Sequence, residues 1–97
     1  MLLTGKRKQN GQGGVIYRFE GDITVYTVKK LKRVLVDEIA KNDRLELDLS
    51  GVKKFDSAGF QLLLLLNREA ERNKKTFALS ERSGEVSRIL GLYGVEW

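Results

Sequence analysis

Neither cysteine nor histidine occurs anywhere in the 97 residues. The lack of cysteine excludes disulfides, thiolate zinc sites and thiol nucleophiles. The lack of histidine removes the commonest general base and the commonest metal ligand, so no Ser-His-Asp triad can be assembled. A metal site would have to rest on the thirteen Asp and Glu residues, which show no clustering along the chain. Long apolar runs are missing too. The longest, Leu62 to Leu66, falls far short of the roughly 20 residues that a membrane helix needs. Met1-Leu2-Leu3 runs directly into Lys6-Arg7-Lys8, the reverse of the charged-then-apolar order of a secretory leader. The expectations are a cytoplasmic location, no membrane partner, no cofactor and no enzymatic activity.

What is present suits one domain spanning 1–97. Apolar residues make up 41% and charged residues 32%, a globular rather than a disordered composition. A chain of this length buries roughly two-thirds of its unfolded surface, enough for one core without metal or disulfide. The net charge of +5 raises nucleic acid or an acidic partner as binding targets. The basic residues, however, are spread along the chain beside acidic ones, as in Asp37-Glu38 and Arg68-Glu69, and read as a solvated surface. Arg68, Arg72, Lys74 and Lys75 complement a helix C-terminus. A nucleic-acid face would want aromatics between its cations, and only Phe77 lies close by. The expectation is no nucleic acid; the rival, a basic nucleic-acid-binding module, would show binding that falls steeply with salt.

Leu2-Leu3-Thr4 and Val15-Ile16-Tyr17-Arg18-Phe19 read as strands, joined by the turn-forming Asn10-Gly11-Gln12-Gly13-Gly14 into an N-terminal hairpin. Those glycines lack the Lys-Ser/Thr pair and following helix of a phosphate loop. Val28, Leu31, Leu35 and Ile39 recur at helical spacing, with Lys29, Lys30, Lys32, Arg33 and Asp37 opposite, and Thr24 or Thr27 as N-cap. Leu45-Glu46-Leu47-Asp48-Leu49 alternates as a strand that Ser50-Gly51 ends, leaving Val52 and Phe55 to anchor a loop. A second helix runs from Asp56 or Ser57 to about Asn73. Its five leucines point almost all round, so the helix is sandwiched between a sheet and a neighbouring helix, or one leucine faces a partner. Thr76-Phe77-Ala78-Leu79 is a short strand. Ser83 caps a third helix carrying Val86, Ile89, Leu90 and Tyr93, Gly94 stops it, and Val95-Glu96-Trp97 could begin another strand. The order β-β-α-β-α-β-α implies an α/β fold: a mixed, mostly parallel sheet with amphipathic helices packed on it.

The informative stretch is Phe55-Asp56-Ser57-Ala58-Gly59-Phe60, where a strand gives way to a helix. Partners and ligands gather beyond the C-terminal ends of strands in such folds, and a helix head offers unpaired N–H groups and positive partial charge. On residue types alone, Asp56-Ser57 reads first as a helix cap. It also has the properties of a switch. A phosphate on Ser57 would add a charge of about −1.5 to −2, which the helix dipole tolerates, and the small Ala58 and Gly59 leave the hydroxyl open to approach.

Leu47-Asp48-Leu49-Ser50-Gly51-Val52 followed by Phe55-Asp56-Ser57-Ala58-Gly59 resembles the hallmark of STAS domains, and more narrowly of bacterial anti-sigma factor antagonists. Gly21-Asp22-Ile23-Thr24 resembles that family's segment before its first helix, and Ser87-Arg88-Ile89-Leu90 its third helix. The joint match covers almost the whole chain in order. The resemblance implies a transcription-regulating, partner-switching module. Ser57 would be the phosphoacceptor, and Asp22, Thr24, Asp56, Ala58, Gly59 and Phe60 would join it in the partner-binding surface. The partner implied is an anti-sigma factor with serine kinase activity, sequestered by the unmodified form so that a sigma factor is freed; a phosphatase would reset the switch. An alternative within the same fold is a scaffold subunit of a stress-signalling assembly. Two departures stand out: relatives usually continue with another strand and a final helix, and Thr24 replaces a residue that is often Asp.

Overall fold

The structure, a computed structural model, describes residues 3–97. Its elements are β1 (Leu3–Gln9), β2 (Gly14–Ile23), α1 (Val28–Lys41), β3 (Arg44–Phe55), α2 (Ser57–Arg72), β4 (Thr76–Arg82) and α3 (Gly84–Leu92). The strands form one sheet in the order β1-β2-β3-β4. β1 is antiparallel to β2, while β2, β3 and β4 are parallel, as the helical crossovers require. The α/β class, the hairpin and the element order therefore agree with expectation; the Leu2 start of the first strand lies outside the described residues.

Register explains the core. Val15 is level with Leu45, Tyr17 with Leu47, Leu45 with Phe77 and Leu47 with Leu79. Strand side chains alternate between faces, so these residues share the face that α1 and α2 cover. Leu31, Leu35 and Ile39 of α1 and Leu63 and Leu66 of α2 are buried with them. α1 and α2 also pack on each other, and α3 closes the core beside β3 with Val86, Ile89 and Leu90.

Several boundaries differ from the sequence reading for tertiary reasons, among them the end of β2, which reaches Ile23 rather than Phe19 alongside β3. β1 continues through Lys6-Arg7-Lys8 because Lys6 pairs with Arg18 and Arg7 with Tyr17; charged residues of this kind blunt an exposed sheet edge. β3 does not end at Ser50-Gly51 but runs on to Phe55 beside Gly21-Asp22-Ile23. That continuation passes two irregularities in the β2 register. Gly21 supplies a φ of 114° there, and a Cβ on Gly51 would lie 2.6 Å from Glu20 Cγ and 3.0 Å from the Phe19 carbonyl oxygen. β4 reaches Arg82 rather than Leu79. Val95–Trp97 forms no strand; instead the Trp97 ring packs edge-on to Phe77, centroids 5.9 Å apart.

Glu38 of α1 is buried, as is Asn42 at the end of the helix. Glu38 accepts hydrogen bonds from the Arg7 guanidinium, from the Tyr17 hydroxyl (2.6 Å) and from Asn42 Nδ2 (3.2 Å), and so ties α1 to both hairpin strands. The Arg7 hydrogen bond holds the Glu38 carboxyl below the usual carboxylate range. Burial, helped by the bond to Glu38, pushes Tyr17 up to about 12. At its other end α1 starts unassisted. Thr27 makes no side-chain cap bond and the first turn holds no acidic residue. Lys29 and Lys30 instead lie in that first turn, at the positive end of the helix dipole, where each cation costs about 0.3–1 kcal/mol at low ionic strength.

Candidate functional site

β2 and β3 finish side by side, with Ile23 level with Phe55. The segments that follow, Thr24–Thr27 and Asp56-Ser57, consequently emerge at the same end of the sheet. The first is a tight turn: the Thr24 carbonyl accepts from the N–H groups of Thr27 (2.9 Å) and Val28 (3.0 Å). Thr27 Oγ1 accepts from the Thr24 N–H and donates to the Asp22 carbonyl, both at 3.0 Å. Thr27, not Thr24, thus occupies the cap position, and Thr24 is half-buried within the turn.

Asp56 fastens this turn to α2. Its Oδ1 accepts from the Gly59 N–H at 3.1 Å, an N-cap bond, and its Oδ2 accepts from the Val25 N–H at 3.0 Å. One carboxylate therefore fixes the head of α2 and the loop before α1 relative to each other. The cap reading of Asp56 is correct as chemistry, and the second bond gives it a further role in shaping the surface.

Ser57 is the first residue of α2 and is exposed. Among the described residues its hydroxyl has no hydrogen-bond partner. It stands at a helix N-terminus whose first turn carries no acid, with exposed Lys53 and Lys54 on the strand leading to it. The Asp56 carboxylate that caps this helix is the immediate neighbour of Ser57.

The remaining expected residues divide. Asp22, Thr24 and Ala58 are half-buried around the same site. Gly59 and Phe60 are not surface residues. A Cβ on Gly59 would sit 2.6 Å from Phe55 Cε1 and 2.9 Å from the Ile23 carbonyl oxygen, so this glycine lets α2 approach the sheet and does not open a path for a partner. Phe60 is only 4% exposed; its ring lies under that of Tyr93, centroids 4.1 Å apart and 4° from parallel. The expected surface role of Phe60 is thereby corrected: Tyr93, 50% exposed, is the member of the stack that a partner can reach.

Two residues escaped the sequence reading. Val25 and Tyr26 are 61% and 85% exposed, at the tip of the turn that Asp56 holds. Large apolar side chains in a strand-to-helix turn were the available signal, and without the Asp56 tether nothing linked them to Ser57. Among the described residues no three carboxylates converge as a metal site, and no helix is long and apolar enough to cross a bilayer.

Comparison with known proteins agrees with this fold. The family model described as Mlab, STAS domain, matches residues 7–96. The anti-sigma factor antagonist SpoIIAA in its unphosphorylated form superposes with a TM-score of 0.80 at 18% identity, covering 94% of this chain and 81% of SpoIIAA. Bacillus SpoIIAA in the phosphorylated form gives 0.76 at 17% identity, covering 94% and 84% of the two chains. An anti-sigma factor antagonist from Mycobacterium paratuberculosis gives 0.83 at 22% identity, covering 95% and 78%. These structures share the fold, and with the family model spanning nearly the whole chain, the protein belongs to the STAS domain family.

Proposed function

We propose that this STAS domain is an anti-sigma factor antagonist whose grip on an anti-sigma factor is released by phosphorylation of Ser57. The observation that carries the reading is the exposed, unpartnered Ser57 hydroxyl at the head of α2, joined through Asp56 to the exposed Val25-Tyr26 turn. The similarity in fold to proteins described as anti-sigma factor antagonists, one of them in both phosphorylated and unphosphorylated forms, supports it.

In this mechanism the unmodified Ser57 lies within a closing interface that includes Asp22, Thr24, Ala58 and the turn. A phosphate there introduces a dianion with no matched cation on the partner. A charge left unpaired in an interface costs about 2–5 kcal/mol, a loss of affinity of roughly 30-fold or more. At the head of α2 the helix dipole favours that charge by about 0.3–1 kcal/mol and offsets repulsion from the neighbouring Asp56 carboxylate, so the domain stays folded while recognition changes. The chain is not itself an enzyme. The partner is a serine kinase that brings ATP and magnesium, a phosphatase resets Ser57, and the exchange takes place in the cytoplasm to regulate transcription.

The test is a pull-down from native cytoplasm, with mass spectrometry to identify the partner and the modified residue. Affinities of Ser57→Asp and Ser57→Ala for that partner are then compared. Ser57→Asp should bind about 30-fold or more weakly, and Ser57→Ala should bind and resist phosphorylation. Equal affinities, or phosphate on a different residue, would refute the scheme.

A further inference from the structure

A groove of about 440 Å³ runs between α1 and α2, and its lining includes Ala58, the residue that follows Ser57. Val28, Ala58, Leu62 and Leu65 form its apolar floor, Gln61 lies on the α2 side, and Lys29 and Lys32 stand along the α1 rim. Lys30 and Arg33 extend the positive charge along the exposed side of α1. The two acids of this helix are already engaged, Glu38 with Arg7 and Asp37 with Lys41. Among the described residues Lys29, Lys30, Lys32 and Arg33 take part in no ion pair.

This charge is locally unfavourable. Lys29 and Lys30 sit in the first turn, at the positive end of the helix dipole, without an acidic residue there or a side-chain cap, and Lys32 and Arg33 follow in the next turn. Lys29 and Lys32, Lys29 and Arg33, and Lys30 and Arg33 are like-charged neighbours three or four residues apart, a spacing that brings side chains together on a helix. An arrangement that disfavours the isolated helix becomes favourable once carboxylates lie against it.

We propose that this groove docks an acidic amphipathic helix of the protein partner. Apolar residues of that helix would occupy the Val28-Leu62-Leu65 floor, and its Asp and Glu residues would face Lys29 and Lys32. The inference rests on the partner-switching reading and adds the chemistry of the partner segment. A concave channel between two helices fits one further helix, whereas an anionic membrane would need its cations on a flat or protruding face. The position of the groove also couples it to Ser57. Phosphate at its end adds negative charge to the one field that attracts the partner segment.

The test uses the full, isotopically labelled chain and a synthetic helical peptide with leucines at i, i+3, i+4 and i+7 and glutamates elsewhere. A peptide with the same leucines and lysines in place of the glutamates is the control. Saturable amide shifts should centre on Val28, Lys32, Gln61, Leu62 and Leu65. The lysine peptide, and the Lys29→Glu/Lys32→Glu variant with the glutamate peptide, should each bind about 10-fold or more weakly. Lys53→Glu/Lys54→Glu should retain binding. The inference is overturned by shifts confined to another face, by equal binding of the two peptides, or by groove shifts seen with phosphatidylserine vesicles and not with the peptide. Ser57→Asp separates the two readings. Groove binding that Ser57→Asp leaves unchanged supports the docking site and counts against the switch.

Discussion

Asp56 holds two segments with one carboxylate, and its substitutions separate the two bonds. In Asp56→Ala both are lost. Removing an N-cap costs about 0.5–2 kcal/mol, and the Val25 bond, which is exposed, adds about 0.5–1.5 kcal/mol at most. A total of about 1–3.5 kcal/mol lowers Tm by roughly 4–28 °C in a domain of this size. Asp56→Asn behaves differently. Its side-chain oxygen can still accept from the Gly59 N–H, since Asn caps as well as Asp. The second position then becomes an NH2 group, which cannot accept from the Val25 N–H. The loss should be limited to about 0.5–1.5 kcal/mol, felt mainly in the Thr24–Thr27 turn. Hydrogen exchange resolved by residue is the assay. The Val25 amide should exchange about 2- to 10-fold faster in Asp56→Asn while the Gly59 amide keeps its protection. Unchanged exchange at Val25, or equal loss at Val25 and Gly59, would show that the carboxylate does not bridge the two segments.

Other substitutions probe the packing beneath this surface. Gly59→Ala places a methyl 2.6 Å from Phe55 Cε1 and 2.9 Å from a backbone oxygen, and overpacking of this kind costs about 1–3 kcal/mol; an unaltered melting curve would contradict the close approach. The Glu38 cluster predicts opposite pH limits. The folded state lowers the pKa of Glu38, so its contribution is present above the unfolded pKa and disappears as pH falls through the folded value. Urea midpoints of wild type should therefore decline on acidification more than those of Glu38→Gln. Tyr17 is raised to about 12, so its contribution is full below about pH 10, the ordinary tyrosine value, and is lost as pH rises through 12. Tyrosinate absorbance should show a component near 12 that Tyr17→Phe removes, together with part of the alkaline loss of stability.

The helices were legible because their signals are local. Leu31, Leu35 and Ile39 fall on one face at a period that only a helix satisfies, and Ser83 and Asp56 are polar caps directly before apolar runs. The hairpin and the Leu45–Leu49 strand were equally local. The rest of β3 was not. Gly51 and Lys53-Lys54 read as loop, and they become strand only because β2, irregular at Gly21, runs alongside. β1 was cut short for the same reason, since Lys6, Arg7 and Lys8 carry no alternation and are extended by pairing alone.

The candidate site divides in the same way. Sequence was enough to place Ser57 at a helix head after a strand, because capping chemistry and the strand-helix order are encoded within a few neighbouring residues. It could not show that Gly59 and Phe60 turn inward, that Val25 and Tyr26 stand beside Ser57, or that Asp56 binds a residue thirty-one positions away. Those facts depend on β2 and β3 ending level and on α2 pressing against Phe55. Nor could it show that Glu38 is buried and paired while Lys29 and Lys32 of the same helix stand on the rim of an open groove. One sequence period predicts which face of a helix is apolar, whereas the neighbours that meet its polar face are chosen only when distant strands are brought into register.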